Sequence, residues 1–311
     1  MAESALVEIP ERGPEVPNES SPQFVAEVSS NHNRSIDRAM KFVKASADSG
    51  FDAVKFQLFK VDELFAPEIL KNSEEHQNRR LWELPLDFVP ELSNFAHELG
   101  LQFGATPFYL DAVEELNPWV DFYKVASYEI LWEALLSKCG QTGKPVVVSS
   151  GMASLEEVKS AVKVLRLAGC SEITVLHCSS AYPTPRKQAN LAAIKTLRSE
   201  LGVPVGWSDH TRDRAVVMRA TQKWGASFVE MHLDLDRSGS EYEAGHCWLP
   251  EEAREVIDLV RQGLEADGTG EKVPNPAELP DLEWRRDPTD GLRPMKSARI
   301  TAAQLPTGRK N

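Results

Sequence analysis

Apolar and polar residues alternate along this chain in short bursts that close on polar groups, and a stretch with helical spacing follows each burst. Eight bursts occur: Phe24–Ser30, Ala53–Phe59, Leu101–Phe108, Phe122–Ser127, Pro145–Gly151, Glu172–Ser180, Val203–Thr211 and Phe228–Asp234. Their β-branched and aromatic content predicts strands. Between them, segments such as Ile36–Gly50 and Leu155–Gly169 carry apolar residues at helical spacing and end on glycine, a helix-stop signal. This alternation of period two with a period of about 3.6 predicts an α/β fold, a (β/α)8 TIM barrel with short irregular N- and C-terminal extensions. In such a barrel the reactive groups stand where strands end, so the polar residues closing each burst are candidates for chemistry.

Composition narrows the class. The 311 residues hold one barrel of roughly 250 residues and two extensions. Residues 1–20 carry Pro, Glu and Ser with few large apolar groups, too little to offset the entropy of ordering, and are expected to form a loose tail. The barrel is expected over 21–268. Thr269–Asn311, rich in proline and charge with Arg285, Arg286, Arg293, Lys296 and Arg299, is expected to pack as an irregular strap. The longest insertion, Val61–Asn78, follows the second strand, where a barrel places substrate cover. No apolar run reaches bilayer-spanning length, and a net charge of −12 argues against nucleic acid as the main partner. Cys139, Cys170, Cys178 and Cys247 lack C-x-x-C spacing and read as reduced, mostly buried thiols. The N-terminus has neither a basic region nor an apolar signal core, so a cytoplasmic location is expected.

The strand ends supply a polar collar. Lys55 and Gln57 are two residues apart and share one face of a strand. Strand three ends at Thr106, strand four at Lys124 and Ser127 with Glu129 beyond, strand five at Ser149 and Ser150, strand six at Ser179 and Ser180 with Tyr182 beyond, and strand seven at Ser208. Two lysines amid hydroxyls suit a small anion bearing phosphate or carboxylate. His210 and His232 end neighbouring strands. They could bind one divalent metal with positions open for water and substrate, or they could be two hydrogen-bonded barrel histidines, and spacing alone leaves both readings open. Glu230 and Asp209 are the nearest carboxylates for an outer shell, with Asp209 expected to face away from His210.

Read in order, Ala26-Glu27, Asn31-His32-Asn33, Ala53-Val54-Lys55-Phe56-Gln57, Thr106-Pro107-Phe108, Lys124-Val125-Ala126-Ser127, Ser150-Gly151-Met152, His177-Cys178, Tyr182-Pro183-Thr184-Pro185, Ser208-Asp209-His210-Thr211 and Glu230-x-His232 resemble the sialic acid (N-acetylneuraminate) synthase family across the whole barrel. The resemblance implies condensation of phosphoenolpyruvate with an N-acetylated hexosamine in its open-chain aldehyde form, giving a nine-carbon 2-keto sugar acid and phosphate. It assigns Lys55, Lys124, Thr106, Ser127, Ser150, Ser180 and Ser208 to phosphoenolpyruvate, and Glu27, Gln57 and Tyr182 to positioning the sugar. Glu129 becomes the proton donor or water activator, with Glu27 as a second catalytic acid. His210 and His232 become ligands of a divalent metal, manganese by resemblance. A homodimer is plausible on the same ground.

Three departures bear on the acceptor. The family's C-terminal antifreeze-like domain is expected to be missing, with Arg293 or another strap arginine expected to replace its sugar contact. Arg34 stands where a glycine often follows Asn-His-Asn. After strand eight the chain reads Arg237-Ser238-Gly239-Ser240-Glu241-Tyr242-Glu243-Ala244-Gly245-His246-Cys247-Trp248 in place of a Gly-Pro-Asp motif, with Glu241 the expected stand-in for its acid and His246 and Cys247 either a site feature or loop packing. Two alternatives stay open: a related condensation of the 3-deoxy-octulosonate type, which needs a further cationic site for a phosphorylated aldose, and a non-catalytic sugar- or partner-binding barrel, which the retained histidines and lysines oppose.

Overall fold

All eight bursts form strands, each shorter than its burst. In the computed structural model these are β1 Gln23–Glu27, β2 Ala53–Leu58, β3 Gln102–Pro107, β4 Phe122–Val125, β5 Val146–Ser149, β6 Ile173–His177, β7 Val205–Asp209 and β8 Phe228–His232. They close into one parallel barrel in sequence order, β1 pairing with both β2 and β8. The structure describes residues 21–237 and 239–299, so the expected tail at 1–20 and the end of the strap lie outside the described residues.

The helices start where local chemistry allows. Ile36–Asp48 is capped by Ser35, whose side chain accepts from Arg38 N, and Leu155–Leu167 opens on a capping box in which Ser154 and Glu157 satisfy each other's backbone N–H groups. Their apolar faces pack against the outside of the strands to make the main core, which includes Phe42, Val43, Val158 and Leu165. Arg34 adopts the positive φ, +53°, that a glycine would take there, and its guanidinium donates to Arg80 O at 3.0 Å and Glu83 O at 3.1 Å, which offsets the strain.

Period-two alternation explains the barrel interior. Val25, Ala53, Phe122, Val147, Leu176 and Phe228 form a separate buried cluster, an apolar floor closed by the edge-to-face pair Phe122–Phe228 at 6.1 Å. Gly104 makes room for it: a Cβ there would lie 2.3 Å from the Phe122 ring. Two residues further along the strands come Glu27, Lys55, Lys124, Ser149 and Glu230, and the floor passes into a polar layer.

The described residues fall into two compact units divided at 264/265, inside the helix Pro250–Asp267. The second unit contains a 3-10 turn at Leu279–Trp284 and a short helix at Lys296–Arg299. Asp287 organises it, accepting from Thr289 N and Lys296 N at 2.9 and 2.8 Å.

Candidate active site

Four charged side chains crowd the polar layer, each at most 4% exposed: Glu27, Lys55, Lys124 and Glu230. Lys55 Nζ contacts the Glu27 carboxylate, donates to Thr106 Oγ1 at 3.2 Å and lies 3.8 Å from Glu230 Oε2. Lys124 Nζ donates to Ser149 Oγ at 2.6 Å and lies 3.7 Å from the same Glu230 oxygen, while Ser208 Oγ donates to Glu230 Oε1 at 3.1 Å. Gln57 Nε2 and Ser29 N each donate to Glu27 Oε1 at 2.8 Å. Two acids balance two bases, which makes burial of all four tolerable. Burial pulls the Lys55 ammonium down to about 7 against the opposing pull of Glu230. Burial would raise Glu230, but Lys124 and Lys55 overcome it and hold that carboxyl at about 2.

These residues line an inner chamber of about 50 Å³ together with Ser127, Tyr182, His210 and His232. At its rim Gly151 leaves a notch between two hydroxyls: with φ +46°, a Cβ there would come 2.3 Å from Ser127 Cβ and 2.6 Å from Ser180 Oγ. Among the described residues Ser180 Oγ is buried without a hydrogen-bond partner, so a donor faces this notch unused.

His210 Nδ1 donates to Ser179 O at 2.6 Å, which fixes the tautomer and leaves the Nε2 lone pair free. Burial, helped by the neighbouring His232, lowers His210 to about 3; burial also lowers His232. Both imidazoles are therefore neutral, the form that ligates a metal, and their ring centroids are 5.3 Å apart. The Tyr182 ring packs 4.1 Å from His210 and 5.9 Å from His232.

Outside the chamber, across Gln57, opens a cleft of about 490 Å³ walled by Phe59, Phe65, Trp82, Phe108 and Tyr128. Its acids are Glu129 and Glu241. Burial pushes the Glu129 carboxyl up to about 7 against the pull of Lys124, and Glu129 Oε2 has no hydrogen-bond partner among the described residues. Arg79 supplies a cation, stacked 5.4 Å from Phe65 and 5.2 Å from Trp82, with Glu75 at 3.4 Å.

Of the residues picked out by sequence, Glu27, Lys55, Gln57, Thr106, Lys124, Ser127, Tyr182, Ser208, His210 and His232 share the inner chamber, and Glu129 and Glu241 face the cleft. Ser150 lines neither. Ser149 takes that place, because two residues separate it from the floor residue Val147 and three separate Ser150. Glu230 is more than an outer-shell carboxylate, since it sits between both lysines; the same parity count from Phe228 would have found it. Asp209 does face away from His210: its carboxylate accepts from Trp207 Nε1 and Trp248 Nε1, both at 3.0 Å. The insertion reaches past Asn78, for Arg79 and Trp82 lie in a 3-10 turn that no periodicity announced.

A model of the NeuB family matches residues 42–272. The chain belongs to the NeuB family. It is 38% identical over 256 residues to an uncharacterized protein of Methanocaldococcus jannaschii, covering 82% of this chain and 74% of that one. It is 33% identical over 290 residues to the N,N'-diacetyllegionaminic acid synthase of Campylobacter jejuni, covering 89% and 86%. The solved N-acetylneuraminic acid synthetase of Leptospira borgpetersenii matches with a TM-score of 0.76 at 27% identity, over 87% of this chain and 93% of that one. As a NeuB-family member the chain is a phosphoenolpyruvate-dependent enzyme that forms a carbon–carbon bond, a synthase of the sialic-acid type in a family that uses a divalent metal. No helix among its described residues is long and apolar enough to cross a membrane.

Proposed function

We propose that this NeuB-family enzyme condenses phosphoenolpyruvate with an N-acetylated hexosamine of the N-acetylmannosamine kind, in its open-chain form, to give a sialic-acid-like 2-keto sugar acid and phosphate. The observation that carries this reading is the inner chamber: two buried lysines, a ring of hydroxyls and the Gly151 notch, next to a larger aromatic cleft. In it Lys55, Lys124, Thr106 and Ser208 hold the carboxylate and phosphate of phosphoenolpyruvate, with Ser127 and Ser180 donating to the phosphate at the notch. Holding both substrates side by side removes much of the entropic part of the barrier. The methylene carbon attacks the aldehyde carbon, water adds at C2, and phosphate leaves. Glu129, poised near neutrality, hands a proton to the new alkoxide or takes one from the attacking water. Gln57, Glu27 and Tyr182 orient the sugar, and Glu241 accepts from its hydroxyls.

His210 and His232 would hold a divalent ion, manganese in this proposal, and their free, neutral nitrogens fit one. When bound, the ion supplies Lewis-acid polarisation of the aldehyde oxygen. The four cysteines, all free and buried, support a cytoplasmic setting. The aromatic walls of the cleft favour a sugar with acetamido methyl groups; Arg79 favours a second reading, a phosphorylated acceptor. Phosphate release from phosphoenolpyruvate with manganese, across N-acetylmannosamine, its 6-phosphate, diacetamido-trideoxyhexoses and arabinose 5-phosphate, separates the two. Release with an uncharged acetamido sugar, lost in His210→Ala, supports the first reading; release only with a phosphorylated aldose removes it.

A further inference from the structure

The loop after β2 runs through the short helices Val61–Leu64, Pro67–Asn72 and Glu74–Asn78 into the 3-10 turn Arg79–Trp82. Side chains three apart eclipse in such a turn, so Arg79 and Trp82 share a side, and both line the outer cleft with Phe65. Just beyond Arg79 the loop is tied down. Arg34 donates to Arg80 O and Glu83 O, and Val61 N donates to Glu83 Oε1 at 2.7 Å.

Arg79 is held by its faces and left short of acceptors at its edge. Its guanidinium carbon lies over the Phe65 ring at 5.4 Å and over the Trp82 ring at 5.2 Å, and the planar fork donates only in its own plane. Of the five N–H groups an arginine carries, one has a partner among the described residues, on Nη2, which donates to Glu75 Oε1 at 3.4 Å. Glu75 is 77% exposed, so that pair is weak. Nε is buried with no partner among the described residues, a state that favours a further acceptor at this fork.

The charge of the cleft decides which acceptor fits. Its charged lining residues are Arg79, Glu129 and Glu241. An arginine alone suits a phosphate, but here a phosphate ester would meet one cation, already shared with Glu75, among acids. The chamber, by contrast, sets two lysines against its two acids. A neutral amide has no such difficulty: its carbonyl oxygen needs a single N–H, and its acyl methyl gains from burial against aromatic rings.

We infer that Arg79 reads the acylamino group of the acceptor, an Nη N–H donating to the amide oxygen while the acyl methyl packs against Phe65 and Trp82. This rests on the proposed reading of the acceptor as an N-acetylated sugar and names the residue that selects it.

The test is calorimetric binding of open-chain sugar alcohols to the full chain with phosphoenolpyruvate present, since an alcohol has no aldehyde to be consumed. Wild type should bind N-acetylmannosaminitol about 10- to 100-fold more tightly than mannitol, the size of a hydrogen bond to a charged group. Arg79→Met should erase that margin and leave the affinities for mannitol and phosphoenolpyruvate as they were. Arg79→Gln, which keeps an N–H donor without the charge, should retain part of it. The inference is overturned if wild type shows no margin, a result independent of how any variant folds. It is equally overturned if Arg79→Met keeps the margin, weakens mannitol as much as its acetamido counterpart, or weakens only mannitol 6-phosphate. A protein that shows the margin but never releases phosphate from phosphoenolpyruvate keeps this inference and loses the proposed reaction. One that condenses N-acetylmannosamine equally well as Arg79→Met keeps the reaction and loses the inference.

Discussion

The inner chamber and the outer cleft share Gln57 and differ in nearly everything else. The chamber is made by strand residues, holds four buried charges in mutual contact and has about 50 Å³ of space; the cleft is made largely by loops, is walled by aromatic rings and has about 490 Å³. The difference has a physical origin. Strands in a closed barrel cannot move without breaking their ladders on both sides, so charges mounted on them keep their partners, and a buried ion network survives only where it cannot lose one. Loops have no such restraint, and apolar walls tolerate a shift that a charge network would not. In the proposed reaction the rigid chamber therefore takes the small anion and the looser cleft the sugar.

The largest effect should follow from breaking the chamber. Lys124→Met removes one of the two ammonium groups facing Glu230, so kcat/KM for phosphoenolpyruvate is expected to fall about 10²- to 10³-fold. Unfolding stability in urea should also drop by about 3 kcal/mol, the low end for a broken buried pair, because Lys55 still lies 3.8 Å from Glu230. Near wild-type phosphoenolpyruvate kinetics in this variant would show that the chamber is not the anion site.

Glu129 lies on the boundary, and Glu129→Gln should lower kcat about 10²-fold with little change in the KM for phosphoenolpyruvate. Its carboxyl is raised from 4.5 to about 7, so the neutral folded form contributes fully below pH 4.5 and that contribution is lost as pH rises through 7. The Gln variant should match wild type near pH 4 and exceed it by up to roughly 3 kcal/mol above pH 7. Parallel stability curves from pH 4 to 8 would mean that Glu129 is not held in a desolvated site.

The smallest effect should come from the cleft. Trp82 is 46% exposed, so Trp82→Ala should cost under about 1 kcal/mol of stability. It should raise the acceptor KM about tenfold while leaving the phosphoenolpyruvate KM unchanged. Equal losses for both substrates would erase the distinction between the two regions.

Much of the chamber was legible because its grammar is local. Once Val25, Ala53, Phe122, Val147 and Phe228 are taken as the floor, counting two residues onward gives Glu27, Lys55, Lys124, Ser149 and Glu230. Ser150 comes from the resemblance and lines neither space, and Glu230 enters the sequence reading only as an outer-shell carboxylate because polar strand ends alone, without that count, do not say which residue faces inward. Arg79 and Trp82 had no comparable signal: they sit in a 3-10 turn with neither strand nor helix periodicity.

By itself the sequence determined the barrel, since the alternation of periods admits few other folds, and it determined which strand residues face inward, since a period of two leaves no choice once one residue is placed. Only the tertiary structure decided how charges from different strands pair, because Lys55 meets Glu230 through closure of the barrel and not through any local rule. It also decided the group of His232, Glu241, His246 and Cys247, which exists because Trp248 pairs back onto the end of β8 and carries its neighbours with it. Contacts of that kind depend on where a loop is anchored, and an anchor formed by two backbone hydrogen bonds leaves no mark on the pattern of side chains.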